Sequence, residues 1–219
     1  MNRKTTKQMV VMALLSAIAF FTVAIVRIPM LFAGPLVLNY EPKDVIIAIG
    51  GFLFGPLPAA IISIVVAFIE MITISSTAWI GFAMNLISSC AFTCSAAIVY
   101  KKRRTIKGAV IGLVIACITT TVVMLLYNYF LTPVFMGVPR PVVAGMLVPL
   151  FLPFNLIKSS INAAVVMLIY KPIVIALRKS HLLEEENSPK AKFNIGVIIL
   201  SCFVIATGIV LVMVLQGNM

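Results

Sequence analysis

Leu150-Phe-Leu-Pro-Phe-Asn-Leu-Ile-Lys-Ser-Ser-Ile-Asn-Ala-Ala-Val-Val-Met-Leu-Ile169 is an apolar run long enough to cross a bilayer, with a full positive charge, Lys158, inside it. About 20 apolar residues span the hydrocarbon core. A charge at that depth costs roughly 2.5–3.5 kcal/mol on insertion scales, so it faces a cavity or a partner rather than lipid. Asn155 and Asn162 stand three residues before and four after Lys158, which puts all three on one face of a helix. The stretch reads as a membrane helix carrying a polar stripe.

The rest of the chain has the same character. Of 219 residues, 62% are hydrophobic and 11% charged, and the mean hydropathy is +1.17. Apolar stretches at 8–26, 44–57, 58–75, 79–100, 108–131, 149–172 and 193–215 read as spans. The second and third are short and separated by Gly55-Pro56-Leu57-Pro58, a turn signal. Met9 to Val26 exceeds the usual apolar core of a signal peptide and no small-x-small site follows it, so it reads as a retained first span. The fold class is an all-α membrane protein: a six-helix transmembrane bundle in residues 1–180, a charged linker at 181–192 containing Glu184-Glu185-Glu186, and an additional transmembrane helix in 193–219.

The net charge of +11 does not point to nucleic acid, because the basic residues sit in clusters between apolar runs. With the N-terminus in the cytoplasm, Arg3, Lys4, Lys7, Lys101, Lys102, Arg103, Arg104, Lys107, Lys171, Arg178, Lys179, Lys190 and Lys192 fall inside, against Arg27, Lys43 and Arg140 outside. Cytoplasmic loops carry the excess of Lys and Arg, so this orientation is expected, with an extracellular C-terminus if the seventh span crosses.

Depth along each span then groups the polar residues. Glu70, Asn85, Asn128, Asn155 and Lys158 fall toward the outer side, with Asn162 nearer the middle. The alternatives are interhelical amide hydrogen bonds and a structural Glu70–Lys158 ion pair. Together the six residues read better as an outward-facing pocket, walled by aromatics such as Phe54, Phe82, Tyr127 and Phe154. Amides and an ammonium between apolar walls suit a flat heterocycle with carbonyls and ring nitrogens. The apolar outer segment from Arg27 to Lys43 has little reason to stay in water and is expected to fold over the pocket as a lid, bringing Leu38 and Tyr40 near the ligand.

Enzymatic chemistry has no equipment here. His181 is the single histidine and lies in an inner loop, and no Asp pair or Ser–His arrangement occurs in the spans. No metal or cofactor is expected, and the cysteines (Cys90, Cys94, Cys117, Cys202) read as small packing residues. No phosphate-binding Gly-rich loop is present, so any ATP-driven step needs a partner. Ala13-Leu-Leu-Ser-Ala17 is a small-xxx-small pattern that permits close helix approach.

Four stretches resemble a known family. They are Tyr40-Glu-Pro-Lys-Asp-Val-Ile-Ile-Ala-Ile-Gly-Gly-Phe-Leu-Phe-Gly-Pro-Leu57, the Asn85 segment ending in Tyr100-Lys-Lys102, Met124-Leu-Leu-Tyr-Asn-Tyr129 and Leu152-Pro-Phe-Asn-Leu-Ile-Lys158. They are similar to the substrate-binding S components of energy-coupling factor (ECF) vitamin transporters, and within them to the riboflavin-binding branch. The resemblance covers roughly residues 8–178 and leaves the seventh span outside. It implies a six-helix unit in a bacterial cell membrane that captures riboflavin on the outer face. Asn128, Asn155 and Lys158 match residues that contact the flavin. Ala13 and Ala17 match the pattern that docks these subunits on a transmembrane coupling protein, and two ATP-binding subunits then drive release, by toppling of the S component. Asn85 lies in one of the matching stretches, whereas Glu70 and Asn162 are expected at the site from depth alone. An S component for FMN or another vitamin is the alternative within the class, and a non-transporting membrane scaffold the alternative outside it.

Overall fold

Gly55 sets the break that organises the first half of the molecule. Its φ of 102° lies where side-chain-bearing residues are strained, its N–H closes the preceding helix on the Gly51 carbonyl, and Pro56 opens the next helix at a position that needs no N–H donor. The computed structural model describes residues 3–33, 36–75, 78–179 and 195–217; the predicted linker with Glu184–Glu186 lies outside the described residues.

The elements are α1 (Arg3–Ile25), β1 (Ile28–Ala33), β2 (Leu36–Tyr40), α2 (Lys43–Phe54), α3 (Pro56–Thr73), α4 (Ala78–Lys102), α5 (Ile106–Met136), α6 (Arg140–Met146), a π-helical turn (Leu147–Phe151), α7 (Leu152–Lys179) and α8 (Ile195–Leu215). Among the described residues, six helical segments are long and apolar enough to cross a membrane, and α8 is one of them. The 12 residues of α2 reach about 18 Å at 1.5 Å per residue, well short of a hydrocarbon core of about 30 Å. The predicted span at 44–57 is therefore a half-length helix.

α2 is short but central. Lys43 through Phe52 are all buried, which explains the continuous run Val45-Ile-Ile-Ala-Ile-Gly-Gly-Phe52: a helix covered on every side needs no polar face. One apolar cluster joins Val45, Ile49 and Phe52 to Phe92 and Ala96 of α4, Leu113 and Ala116 of α5, and Val166 of α7. A second joins Ile46 and Ile47 to Val11, Leu15 and Ala19 of α1 and to Ile62 and Val66 of α3. The exposed residues of the bundle are themselves apolar, among them Phe21, Phe68, Ile118 and Phe203, as lipid-facing positions are.

The apolar segment between α1 and α2, read as a loop from the sequence, is a two-stranded antiparallel hairpin. Met30, Leu31 and Leu38 bury against Val143 of α6, Phe151 of the π turn, and Phe154, Ile157 and Ile161 of α7. α5 also runs past its predicted end to Met136, through an internal Pro133, and closes on Gly137 at φ 64°. α8 packs along α7 and touches β1, and α1 packs on α2 and α3.

Close packing of α2 depends on small residues. A Cβ on Gly51 would stand 3.0 Å from the Ala97 Cβ and 3.1 Å from the Ala59 Cβ, both fixed directly to backbone. Gly51→Val should therefore lower the apparent melting temperature in detergent, at a cost of about 1–3 kcal/mol. Gly145→Ala, where no atom lies within 4 Å, should leave it unchanged or slightly raised.

Candidate functional site

Four charges meet where the hairpin joins the bundle. Arg27 precedes β1, Glu41 follows β2, Lys43 begins α2, and Glu70 lies in the last turns of α3. The Arg27 guanidinium donates to a Glu41 oxygen at 3.0 Å and to Glu70 Oε1 at 3.3 Å. Lys43 Nζ pairs with Glu41 Oε2 at 3.0 Å and with Glu70 Oε2. Lys43 is 2% and Glu70 0% exposed, so neither charge is tolerable alone, whereas two cations and two carboxylates in mutual contact are neutral as a set. Burial pushes the Glu41 carboxyl up, but Lys43, Lys158 and Arg27 outweigh it and hold the pKa down at about 2. Glu41 is thus ionised at neutral pH. Its stabilisation is present above the ordinary carboxylate range and fades as pH falls toward 2. Burial, and then the Asp44 charge, raise the pKa of Tyr40.

This network corrects the predicted role of Glu70. Depth grouped it with the amides, and an ion pair with Lys158 was one expectation. Both Glu70 oxygens are instead taken by Arg27 and Lys43. The acid that senses Lys158 is Glu41.

Next to the network lies a polar crevice lined by Asp44 of α2, Ser88 and Phe92 of α4, Thr120 of α5, and Asn155, Lys158, Ser159 and Asn162 of α7. It is narrow, with room for about one water. The stripe Asn155–Lys158–Asn162 thus faces inward together. Asn155 Nδ2 donates to the Phe151 carbonyl at 2.7 Å, and its own carbonyl accepts from Ser159 at 2.6 Å. Lys158 is half-buried, with Nζ 5.9 Å from the centre of the Phe154 ring. Among the described residues, no hydrogen bond reaches the buried Asn162 Oδ1 or Thr120 Oγ1. Orphaned polar atoms are costly away from water, so both atoms call for a partner.

The remaining predicted residues are more dispersed. Asn128 is buried about two turns along α5 from Thr120; it donates to the Met124 carbonyl at 2.7 Å and accepts from Thr132 at 2.8 Å. Asn85 is half-buried, one turn from Ser88. Leu38 is buried in the hairpin cluster, with Tyr40 partly buried beside it. Tyr127 donates to the Ile80 carbonyl at 2.8 Å. Phe54 lies at the opposite end of α2, in a second crevice with Lys101 and Arg104, so it does not wall the pocket as expected. Ala13 and Ala17 are exposed on α1, opposite its buried Val11, Leu15, Ala19 and Val23.

Sequence reasoning missed Asp44, Ser88, Thr120 and Ser159. Hydroxyls in membrane helices usually bond back to the carbonyl four residues earlier, as Ser63, Thr93 and Thr121 do. They therefore carry no signal until one, such as Thr120, is found without that bond. Among the described residues no group of three His, Cys, Asp or Glu side chains is placed to hold a metal.

Comparison with known proteins places this geometry. Residues 7–170 match the family model described as "ECF transporter, substrate-specific component". The chain is 29% identical over 190 residues to the riboflavin transporter RibU of Staphylococcus aureus (strain TCH60), covering 82% of this chain and 96% of that protein. It is 28% identical over 194 residues to the riboflavin transporter FmnP of Bacillus subtilis (strain 168), covering 80% and 98%. A solved S component of a bacterial ECF transporter superposes with a TM-score of 0.68 at 29% identity, covering 80% of this chain and 99% of that one.

The charge network makes a prediction of its own. Lys43→Met leaves Glu41 and Glu70 sharing Arg27 alone and should destabilise the protein by about 3 kcal/mol. The double variant Lys43→Met, Glu70→Met restores the charge balance and should melt at a higher temperature than Lys43→Met alone.

Proposed function

The chain belongs to the substrate-specific components of ECF transporters, and from that premise we propose that it captures riboflavin for uptake, between the hairpin and the polar face of α7. One observation carries the reading: two amides and one ammonium, Asn155, Asn162 and Lys158, converge with the unpartnered Thr120 hydroxyl in one crevice, and the adjoining face of α7 carries the apolar hairpin. The isoalloxazine ring is flat, with carbonyls and ring nitrogens along one edge. Asn155 and Lys158 offer donors to that edge, and Asn162 Oδ1 and Thr120 Oγ1 offer acceptors. Asn128 and Asn85 stand on neighbouring helices for further polar contacts, and Leu38, Tyr40 and Phe154 supply apolar wall. Glu70 acts one step removed, by fixing the base of the hairpin.

The crevice is far narrower than a flavin, so capture requires the hairpin to swing away from α6 and α7 and close again over the ring. The protein is a multi-pass membrane protein of a transporter family. Its Lys and Arg distribution supports a cytoplasmic N-terminus, which turns the hairpin end outward and makes the C-terminus extracellular once α8 has crossed. The exposed Ala13–Ala17 face of α1 is where a transmembrane coupling protein docks, and two ATP-binding subunits supply the energy that the chain itself has no loop to harvest.

Purified protein should bind riboflavin tightly without ATP and quench its fluorescence. A folded preparation that binds no flavin overturns the proposal, and competition with FMN and thiamine distinguishes the substrate. Lys158→Ala should weaken riboflavin binding at least tenfold, about 1.4 kcal/mol, with an unchanged melting temperature. An unaltered dissociation constant would remove Lys158 from the site.

A further inference from the structure

α8 lies beyond the residues that the family model matches, yet it is seated on α7 and reaches the hairpin. Gly208 lets it sit directly on α7: a Cβ there would stand 3.0 Å from Ile161 Cγ1 and Cδ1 and 3.6 Å from Ile157 Cγ2. Ile205 and Val212 pack against the same cluster that holds Met30, Leu31 and Leu38 of the hairpin to α7. One turn after Val212, the chain reaches the hairpin backbone. Gln216 Nε2 donates to the Met30 carbonyl at 2.8 Å and approaches the Pro29 carbonyl at 3.3 Å.

The position of that contact is informative. The strand register pairs Pro29 with Asn39 and Leu31 with Leu38, so Met30 is an extra residue with no partner in β2. Such a bulge interrupts the ladder. The Gln216 amide supplies a donor at this interruption, and because it reads a main-chain carbonyl it fixes the strand itself rather than a side chain. The contact joins residues 186 positions apart. It connects the end of a helix outside the matched unit to the element that must move for substrate to pass.

We propose that α8 is a latch for the hairpin. Gln216 is a positioning residue that holds β1 shut, and the Gly208 seat on α7 holds Gln216 in register. The latch sets how fast bound riboflavin escapes, so this inference rests on the riboflavin reading above. α8 packs on α7 and β1, whereas α1 packs on α2 and α3.

The test is kinetic. Gln216→Glu is nearly isosteric but replaces the donor with an acceptor carboxylate facing the Met30 carbonyl. It should speed riboflavin release at least fivefold, the order expected for one lost hydrogen bond with added repulsion, while the melting temperature stays unchanged. Gly208→Leu, which lifts α8 off Ile161 without touching the hairpin, should speed release in the same way. Gln216→Lys keeps a donor and should release riboflavin nearly as slowly as the unaltered chain. Unchanged release in both Gln216→Glu and Gly208→Leu overturns the latch. A nitroxide at Phe32, which is 61% exposed on β1, reads hairpin motion with no ligand present. Its spectrum should sharpen in Gln216→Glu, and an unchanged spectrum overturns the latch whatever the substrate. Failure of the unaltered chain to bind riboflavin would instead overturn the riboflavin reading and leave this measurement standing.

Discussion

The ion-pair set of Arg27, Glu41, Lys43 and Glu70 is the constraint on which the hairpin end of the molecule rests. Lys43 and Glu70 have almost no solvent, and a lone charge so placed is worth several kcal/mol of instability. Each must therefore keep its partners, and the partners are at the two feet of the hairpin: Arg27 before β1 and Glu41 after β2. Satisfying the charges thus also anchors the hairpin to α2 and α3. Beyond its feet, the hairpin is held by apolar contact with α6 and α7 and by the Gln216 amide. Apolar contacts are non-directional and re-form after sliding, whereas a buried ion-pair set does not tolerate separation. The hairpin is therefore fixed most firmly at its feet.

α7 is the second determinant, because its faces serve different masters. Asn155, Lys158, Ser159 and Asn162 turn to the crevice, while Ile157 and Ile161 turn to the hairpin and α8. The π-helical turn before it, Leu147–Phe151, leads into the helix whose first amide, Asn155, takes the Phe151 carbonyl. Any rotation of α7 that improved one face would spoil the other. The polar stripe and the hairpin seat are consequently fixed together on one helix.

The sequence made part of this legible. Lys158 stood out because a charge in an apolar run needs a cause, and the three- and four-residue spacing of Asn155 and Asn162 put them on its face, which the structure turns to the crevice. Glu70 was seen but misplaced, since its partners Arg27 and Lys43 read as flanking charges at span ends, and no spacing rule links residues 27 and 43 to residue 70. The hairpin read as a loop because its strands are apolar on both faces, covered by the bundle on one side and lipid-like on the other, so the alternation that marks a strand is missing. α2 looked like a short span because a helix buried all round and a helix in lipid have the same composition. Thr120 was invisible for a related reason: its neighbour Thr121 shows the ordinary back-bond to Cys117, and only packing decides which hydroxyl is left over.

The positions of α1 and α8 also bear on how a captured substrate is let go. A partner on the exposed Ala13–Ala17 face touches a helix whose opposite face, Val11, Leu15 and Ala19, packs on Ile46 and Ile47 of α2 and on Ile62 and Val66 of α3. Those two helices carry Lys43 and Glu70. That packing leads from the exposed Ala13–Ala17 face to the charges at the hairpin feet. A tilt of α2 against α3 would strain the charge set at the hairpin feet, where small displacements are costly. Gln216, held by α7, opposes motion at the other side of the hairpin. The hairpin is thus held at two places, by the charges at its feet and by Gln216 along β1.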